Sequence, residues 1–215
     1  MKPPLWREHP DDTATIANNV ALLDSKIAGA KGDREPFTLE MPQAWHKEIH
    51  RDCKHVPSPA YIGNYRGTDH PHLANYSVKF GTYLGTPPNE VQAALDIFMD
   101  SLNINLSRLD STMPTPPDAT PSRLNPAVEC TAKHYARWLR IHPFADGNGR
   151  TARVLANWIL ARYWQPLVLP GRPPVDREGL IAATSPAVDI KVDDFRPLMR
   201  YLRKRLTDAR RAAMT

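Results

Sequence analysis

Residues 142–153 read HPFADGNGRTAR, and they combine residue types that could bind and transfer a phosphate. Gly147, Asn148 and Gly149 stand immediately before an apolar run in which a helix is expected to begin. The first turn of a helix exposes backbone N–H groups and carries a partial positive charge, and glycine lets a ligand come close to the backbone. The stretch therefore predicts an anion site at a helix N-terminus, most naturally for phosphate.

Charged and titratable side chains surround this predicted anion site. Arg150 and Arg153 lie three residues apart on one side of the expected helix, and guanidinium groups match phosphate oxygens bidentately. Asp146 offers a carboxylate oxygen, which together with substrate phosphates is a typical ligand set for Mg²⁺. His142 can accept a proton near neutral pH, and Phe144 is expected to be a buried anchor of the loop. Together they predict attack of a hydroxyl on a nucleotide phosphate.

A purely structural interpretation competes with this one. The same residues could form a glycine-rich turn with a capping aspartate and a structural histidine. The agreement of so many positions with one mechanism favours the functional interpretation. A P-loop is excluded because no lysine follows the glycines.

The elements that must hold this loop are mainly helical. Apolar residues recur at helical spacing in five segments. The predicted helices are 13–28, a segment after Pro87 and Pro88, a segment from Asn125 and Pro126, about 148–163, and the segment around 195–206. The fourth is apolar nearly all round, which predicts that it is central.

Three other segments complete the organisation that the sequence predicts. Residues 75–85 contain β-formers around Gly81 and predict a short hairpin, whereas the five prolines of 113–126 predict a stiff loop. HKEIH at 46–50 is interpreted as a solvated helix face. The fold class is therefore all-α with a small β-hairpin.

Length and composition limit the classes of protein that the chain can belong to. The chain has 215 residues, two cysteines and a net charge of +5, as expected for one domain in a reducing compartment. No apolar stretch predicts a membrane span or a cleaved signal, so a bacterial cytoplasmic location is expected, with delivery as an uncleaved effector left open. The basic residues of 196–211 are interpreted as a solvated helix face rather than a nucleic-acid surface.

The loop HPFADGNGRTAR closely resembles the signature HxFx(D/E)GNGRxxR of the Fic (Fido) family and matches every fixed position. GNYR at 63–66 also resembles a segment upstream of the family's flap, and the resemblance covers residues 60–205. It implies a Fic catalytic core at 60–215 after an N-terminal helical extension at 1–59. It also implies a mainly helical fold and transfer of AMP from ATP, with Mg²⁺, to a Ser, Thr or Tyr hydroxyl of a target protein.

The resemblance assigns roles to the loop residues by position. His142 is the general base, Asp146 holds magnesium, and Phe144 anchors the loop. The nucleotide phosphates are assigned to Gly147, Asn148, Gly149, Arg150 and Arg153. A flap that docks the target protein is assigned to Val78, Lys79, Phe80, Gly81, Thr82 and Tyr83. A relative with lysine at the position of Gly149 phosphorylates its target, and one with alanine at that of Gly147 transfers phosphocholine, so AMP is expected here.

The N-terminal segment resembles an inhibitory helix of the family, (S/T)xxxE(G/N), in a degenerate form. Thr13 and Asn18 fit that pattern, but Ala17 stands at the glutamate position. The segment is either an inhibitory helix without its glutamate or an ordinary packing helix. If it is the former, Arg153 has no internal competitor and the enzyme is constitutively active, unless an antitoxin or another inhibitory partner supplies the glutamate.

Other functions are compatible with the same residues. The alternatives are a catalytically silent module that binds a nucleotide or peptide, transfer of another nucleotide, and removal of AMP from a target. The intact His142 argues against a silent module, and Ala17 argues against AMP removal. The sequence does not distinguish a growth-arresting toxin from a regulator or an effector.

Overall fold

The computed structural model describes residues 4–113, 121–170 and 176–213. The helices and strands in chain order are α1 (Thr13–Gly29), α2 (Glu40–Ile49), β1 (Lys79–Phe80), β2 (Tyr83–Leu84), α3 (Val91–Thr112), α4 (Pro121–Ile141), α5 (Asn148–Arg162), α6 (Arg177–Val188) and α7 (Arg196–Ala212). The predicted fold class, mainly helical with one small hairpin, is confirmed.

Helix α5 is central, as its apolar sequence predicted. It packs against α1, α2 and α4, and Ala152, Ala156 and Ile159 have no exposed surface. Small alanines let the neighbouring helices approach closely, and the surrounding helices bury α5 nearly all round. The N-terminus of α5, where the predicted anion site lies, is thereby held by three helices.

Helix α1 covers the predicted segment 13–28 almost residue for residue. Its apolar stripe, represented by Ile16 and Val20, joins the same core as the residues of α5. The side chain of Asn157 on α5 donates a hydrogen bond to the Asp24 carboxylate on α1, with an N···O distance of 3.3 Å. The separation into an extension at 1–59 and a core at 60–215 stays a prediction.

Two expectations about helix boundaries were wrong. Helix α4 begins at Pro121 rather than at Asn125, so Pro126 lies inside the helix. Proline is favoured in the first turn because no intrahelical partner is lost there, and two prolines competed for that position. Of the predicted loop 113–126, residues 121–126 are therefore helical and 114–120 lie outside the described residues.

Helix α6 was not predicted from the sequence. Gly179 and Pro186 interrupt its pattern, and both residue types lower helix propensity. The Asp176 carboxylate caps the helix by accepting the Gly179 N–H at 2.9 Å.

The predicted hairpin is present as two short antiparallel strands. Lys79 pairs with Leu84 and Phe80 with Tyr83, so the turn lies at Gly81 and Thr82. Gly81 has a φ of +56°, a left-handed value that glycine adopts at little cost. Among the residues that the structure describes, no helix combines the length and apolar character that crossing a bilayer requires.

Candidate active site

The loop between α4 and α5 is closed by one side-chain amide. The Asn148 Oδ1 accepts the Phe144 N–H at 2.8 Å, and its Nδ2 donates to the Phe144 carbonyl at 2.9 Å. Phe144 has no exposed surface, so its ring holds this turn in the core. Gly147 precedes α5 with a left-handed φ of +80°, which aims the backbone into the first turn of the helix.

His142 begins this loop, and one of its ring nitrogens is already used. Its Nδ1–H donates to the Leu139 carbonyl at 3.0 Å, which leaves the lone pair of the neutral ring on Nε2. The ring stacks on Phe80 of β1, with centroids 4.2 Å apart and planes within 3°. Burial lowers the pKa of His142 to about 4. The imidazole is therefore neutral and competent to accept a proton at physiological pH.

Arg66 holds the backbone around His142, and sequence reasoning gave it no role. Its Nε donates to the His142 carbonyl at 2.8 Å, and its Nη1 donates to the Tyr76 carbonyl at 2.8 Å. Its Nη2 reaches the carbonyls of Thr86 and Ile141, both at 3.0 Å. Arg66 is only 1% exposed, and this burial lowers its pKa to about 10.

The Arg66 side chain thus links the segments before and after the hairpin to the loop that carries the predicted base. Since Arg66 satisfies backbone carbonyls, its buried charge is stabilised by aligned dipoles. The sequence signal that could have identified Arg66 was GNYR at 63–66. The family resemblance included this segment but gave the arginine no role.

At the other end of the loop, Arg150 contacts two carboxylates. Its Nη2 lies 2.9 Å from the Asp146 Oδ2, and its Nη1 lies 2.8 Å from the Glu8 Oε2. The Arg150 side chain is 6% exposed and that of Glu8 15%, so water screens their attraction only partly. A phosphate that binds this guanidinium must share or replace these contacts. Glu8 lies in the N-terminal segment, and sequence reasoning did not select it.

Arg153 lies one turn further along α5. Its Nη1 donates to the Gly149 carbonyl at 3.2 Å, so the guanidinium folds back toward the N-terminus of the helix. The structure therefore brings Arg153, Gly149 and Arg150 to the same helix end.

His46 of α2 and His50, directly after the helix, lie beneath the loop, and the interpretation of HKEIH as a solvated face was wrong. His46 is 0% and His50 2% exposed. The His46 Nδ1 accepts the Gly63 N–H at 2.9 Å, so its Nε2–H donates to the Asp146 carbonyl at 3.0 Å. Its ring stacks on Phe144 at 4.0 Å between centroids. Burial holds the pKa of His46 well below its ordinary value.

The buried histidines explain why the loop needs glycine at one position and not at another. A Cβ on Gly147 would lie 2.8 Å from the His50 Cε1 and 3.0 Å from the His46 Nε2. A Cβ on Gly149 would have the Arg153 Nη1 as its nearest neighbour, at an ordinary 3.9 Å. Packing therefore requires a glycine at 147 only.

The predicted flap residues occupy the hairpin beside His142. Phe80 faces inward onto the His142 ring, and Val78 is half-buried, with its carbonyl accepting the Gly85 N–H at 3.2 Å. Lys79, Gly81 and Thr82 are exposed, whereas Tyr83 is half-buried. The hairpin thus covers the predicted base with one face and offers the other to solvent.

The segment that resembles an inhibitory motif lies in the first turns of α1. Thr13 and Asn18 are exposed, and Ala17 is half-buried. The Thr13 hydroxyl donates to the Glu8 Oε1 at 3.0 Å. The acidic side chain that the N-terminal segment brings to Arg150 is therefore Glu8, which Thr13 helps to orient.

Comparison with known proteins identifies relatives of this chain. Residues 36–160 match the model of the Fic/DOC family. The chain is 28% identical over 158 residues to protein adenylyltransferase fic-1 of Caenorhabditis elegans, which covers 73% of this chain and 25% of the relative. It is 33% identical over 122 residues to protein adenylyltransferase Fic of Nematostella vectensis, which covers 57% of this chain and 23% of the relative. The chain thus spans about a quarter of the length of these curated relatives.

Solved structures show the same fold. A Fic domain containing signaling protein from Bacteroides thetaiotaomicron superposes with a TM-score of 0.61 at 24% identity, over 88% of this chain and 68% of that chain. The structure of Fic-1 (aa134 - 508) from C. elegans gives a TM-score of 0.63 at 24% identity, over 97% of this chain and 53% of that chain.

Proposed function

Because the chain belongs to the Fic/DOC family, we propose that it is a protein adenylyltransferase that transfers AMP from ATP to a Ser, Thr or Tyr hydroxyl of a target protein. The hydroxyl oxygen forms a bond to the α-phosphorus, the bond between the α-phosphorus and the bridging oxygen breaks, and pyrophosphate leaves. The proton of the hydroxyl passes to the Nε2 of His142.

The hydrogen bond between the His142 Nδ1–H and the Leu139 carbonyl is the observation that carries this proposal. It selects the tautomer with a lone pair on Nε2, and the carbonyl also stabilises the imidazolium that forms after proton transfer. The stacked ring of Phe80 and the grip of Arg66 on the His142 carbonyl limit the orientations of this imidazole. A base held in one orientation needs little reorganisation as the hydroxyl attacks.

The N-terminus of α5 supplies the site for the phosphates. The backbone of Gly147, Asn148 and Gly149 offers N–H groups and a partial positive charge, and Arg150 and Arg153 add two guanidinium groups. Glu8 contacts Arg150 in the structure, so its contact exchanges for a phosphate oxygen when the nucleotide binds. This exchange keeps the charge of Arg150 balanced in both states.

Asp146 fits a role in magnesium binding. Its side chain is 30% exposed at the mouth of the loop, and one hard carboxylate beside nucleotide phosphates is a ligand set that Mg²⁺ accepts. Bound there, the ion neutralises the charge of the phosphates. Arg150 orients the Asp146 carboxylate through the 2.9 Å contact to its Oδ2.

The hairpin supplies the site for the target protein. Exposed Lys79 lies in a two-stranded sheet, and exposed Gly81 and Thr82 form its turn. The edges of such a sheet can pair with an extended segment of another chain. A segment paired there passes close to His142, since Phe80 lies against the His142 ring.

Labelling separates this function from its alternatives. The full chain is incubated with ATP labelled on the α-phosphate, magnesium and a cell lysate, and labelled proteins are detected. We expect label on a target protein, and none with the His142→Ala variant. If the wild-type chain binds ATP but transfers no label, the result supports a silent binding module instead. Stronger labelling from another nucleotide than from ATP overturns the choice of AMP.

Restoring the missing glutamate tests the resemblance of α1 to an inhibitory helix. If α1 is such a helix, the Ala17→Glu variant transfers AMP more slowly, because the new carboxylate competes for Arg153. An Asn18→Glu variant, one residue further along α1, is the matched control. An unchanged rate of Ala17→Glu refutes an inhibitory role of α1, and inhibition by a separate partner such as an antitoxin then becomes the route to test.

A further inference from the structure

A cluster of metal-ligating side chains lies in the N-terminal segment, outside the loop of the active site. The His9 Nδ1 lies 3.6 Å from the Asp11 Oδ2, and the His55 Nε2 lies 3.9 Å from the same oxygen. One ligand atom from each of the three residues lies within 4.8 Å of the other two. We propose that His9, Asp11 and His55 bind a divalent transition-metal ion of the Zn²⁺ class.

The set of donor atoms selects the class of ion. Two imidazoles and one carboxylate are ligands of borderline softness, which suit Zn²⁺ and its neighbours in the first transition row rather than Mg²⁺ or Ca²⁺. Zinc bonds of about 2.0–2.1 Å in a tetrahedron separate the ligand atoms by about 3.3 Å. The distances of 3.6 and 3.9 Å are close to this value, and all three residues are exposed, so their side chains have room to rotate into the geometry of the site.

A second carboxylate orients the His55 ring in the manner of a metal ligand. The His55 Nδ1 lies 3.4 Å from the Asp12 Oδ2, which leaves its Nε2 directed toward Asp11. Histidines that bind metals typically donate their other ring N–H to a carboxylate or carbonyl in this way. Asp12 contributes this contact from a buried position, at 5% exposure, so its orientation is well defined.

The backbone brings the two segments of the cluster together before any ion binds. The two Asp12 carboxylate oxygens accept the N–H groups of Lys54 and His55, at 2.9 and 3.0 Å. The rings of His9 and His55 stack face to face, with centroids 3.9 Å apart and planes within 20°. Their lone pairs lie in the ring planes and do not converge on one point, so one of these exposed rings rotates out of the stack when the ion binds. The backbone is therefore already in place for the ion, and binding requires rotation of a histidine side chain.

Binding of the ion also breaks one hydrogen bond. The His9 Nδ1 accepts the Asp11 N–H at 3.3 Å, which is a long hydrogen bond. A metal on this nitrogen replaces that bond, and the Asp11 N–H then turns to water because the residue is exposed.

An ion bound in this cluster restricts the movement of the segment that carries Glu8. It links residues 9 and 11 to residue 55 across the surface, and Glu8, directly before His9, contacts Arg150 at 2.8 Å. The ion thus makes displacement of Glu8 from Arg150 more costly. This last consequence rests on the proposed function, whereas the metal site itself does not.

Cobalt provides a direct test, because Co²⁺ occupies zinc sites and its visible absorption bands report the ligand geometry. The full chain, without any polyhistidine tag, is titrated with Co²⁺ in the absence of nucleotide. We expect one equivalent to bind with the intense bands of four- or five-fold coordination, and Zn²⁺ to displace it. His9→Gln and His55→Gln should each weaken binding by at least about 10-fold, since each removes a ligand.

His70→Gln is the matched control, since His70 is exposed and lies outside the cluster. It should bind Co²⁺ as the wild-type chain does. The melting temperature of the wild-type chain should rise with Zn²⁺, while that of His55→Gln should not. Absence of the bands, or bands that survive His55→Gln, overturns the proposal. Since no nucleotide or transfer is measured, these results stand independently of the proposed enzymatic activity.

Discussion

His142 and His46 contact the two ends of the same loop, and their ring nitrogens are used differently. In the described structure, His142 forms a hydrogen bond to the protein through Nδ1 only, to the Leu139 carbonyl. His46 uses both nitrogens, one for the Gly63 N–H and the other for the Asp146 carbonyl. The first ring keeps a lone pair for chemistry, whereas the second joins two backbone segments.

The pKa values do not reveal this difference. Burial lowers the pKa of both histidines, so both are neutral near pH 7. The assignment of hydrogen bonds, together with the complete burial of His46, separates a candidate base from a structural histidine. In a site of this kind, the partner of each ring nitrogen is more informative than the pKa.

Loss of His142 should produce the largest effect on activity. We expect His142→Ala to reduce AMP transfer by at least about 100-fold, because general-base catalysis typically contributes about 10²- to 10⁴-fold. The free energy of unfolding should change by less than about 1.5 kcal/mol, since one hydrogen bond is lost at a half-buried position. Labelled transfer and urea denaturation measure the two quantities. A variant that transfers at the wild-type rate contradicts the assignment of the base.

The pH profile sharpens the same assignment. Transfer requires the neutral imidazole, so the rate falls as the pH falls through the pKa of His142, which burial lowers to about 4. The acid limb should therefore lie well below the value near 6.5 of an exposed histidine. An acid limb near pH 6.5 contradicts this prediction, because the base then titrates as an exposed histidine does.

Loss of His46 should instead act on stability. We expect His46→Ala to lower the free energy of unfolding by about 2–4 kcal/mol, because the Gly63 N–H and the Asp146 carbonyl lose their partner and a cavity opens beneath Phe144. Urea denaturation measures this loss. The exposed His70, replaced by alanine, is the control and should change stability by less than about 0.5 kcal/mol. Equal stability of the two variants contradicts the structural role of His46.

The two glycines of the loop extend the comparison to the backbone. Gly147→Ala should lower the free energy of unfolding by about 1–3 kcal/mol, because its φ of +80° and its contacts with His46 and His50 both resist a Cβ. Gly149→Ala should leave stability unchanged or raise it by up to about 1 kcal/mol, as expected for a helical glycine with room for a methyl group. Urea denaturation of both variants under the same conditions measures this difference. An equal loss of unfolding free energy in the two variants contradicts the prediction.

The smallest expected effect comes from Glu8. Glu8→Gln should lower the KM for ATP by roughly 5-fold, because a neutral amide competes less well than a carboxylate for Arg150. Glu178→Gln makes the same charge change at an exposed position in the first turn of α6 and should leave the KM unaltered. If Glu8→Gln raises the KM, Glu8 supports the site rather than competing for it.

Much of the helical framework was predictable from the sequence, for local reasons. The apolar spacing of α1 and the turn signals around Gly81 act over a few residues, and the structure confirms both elements. The starts of α4 and α6 were not predicted, because Pro126, Gly179 and Pro186 carry local signals that tertiary packing overrides.

The sequence by itself determined the loop 142–153, since its chemistry lies in neighbouring residues whose spacing along one helix end is set by covalent geometry. The tertiary structure alone decided which distant residues complete the site. His46 lies 100 residues before Asp146, Arg66 lies 76 residues before His142, and Glu8 lies 142 residues before Arg150. Burial of a polar side chain depends on how helices pack around it. The local sequence at HKEIH and beside Glu8 therefore does not indicate which distant residues these side chains contact.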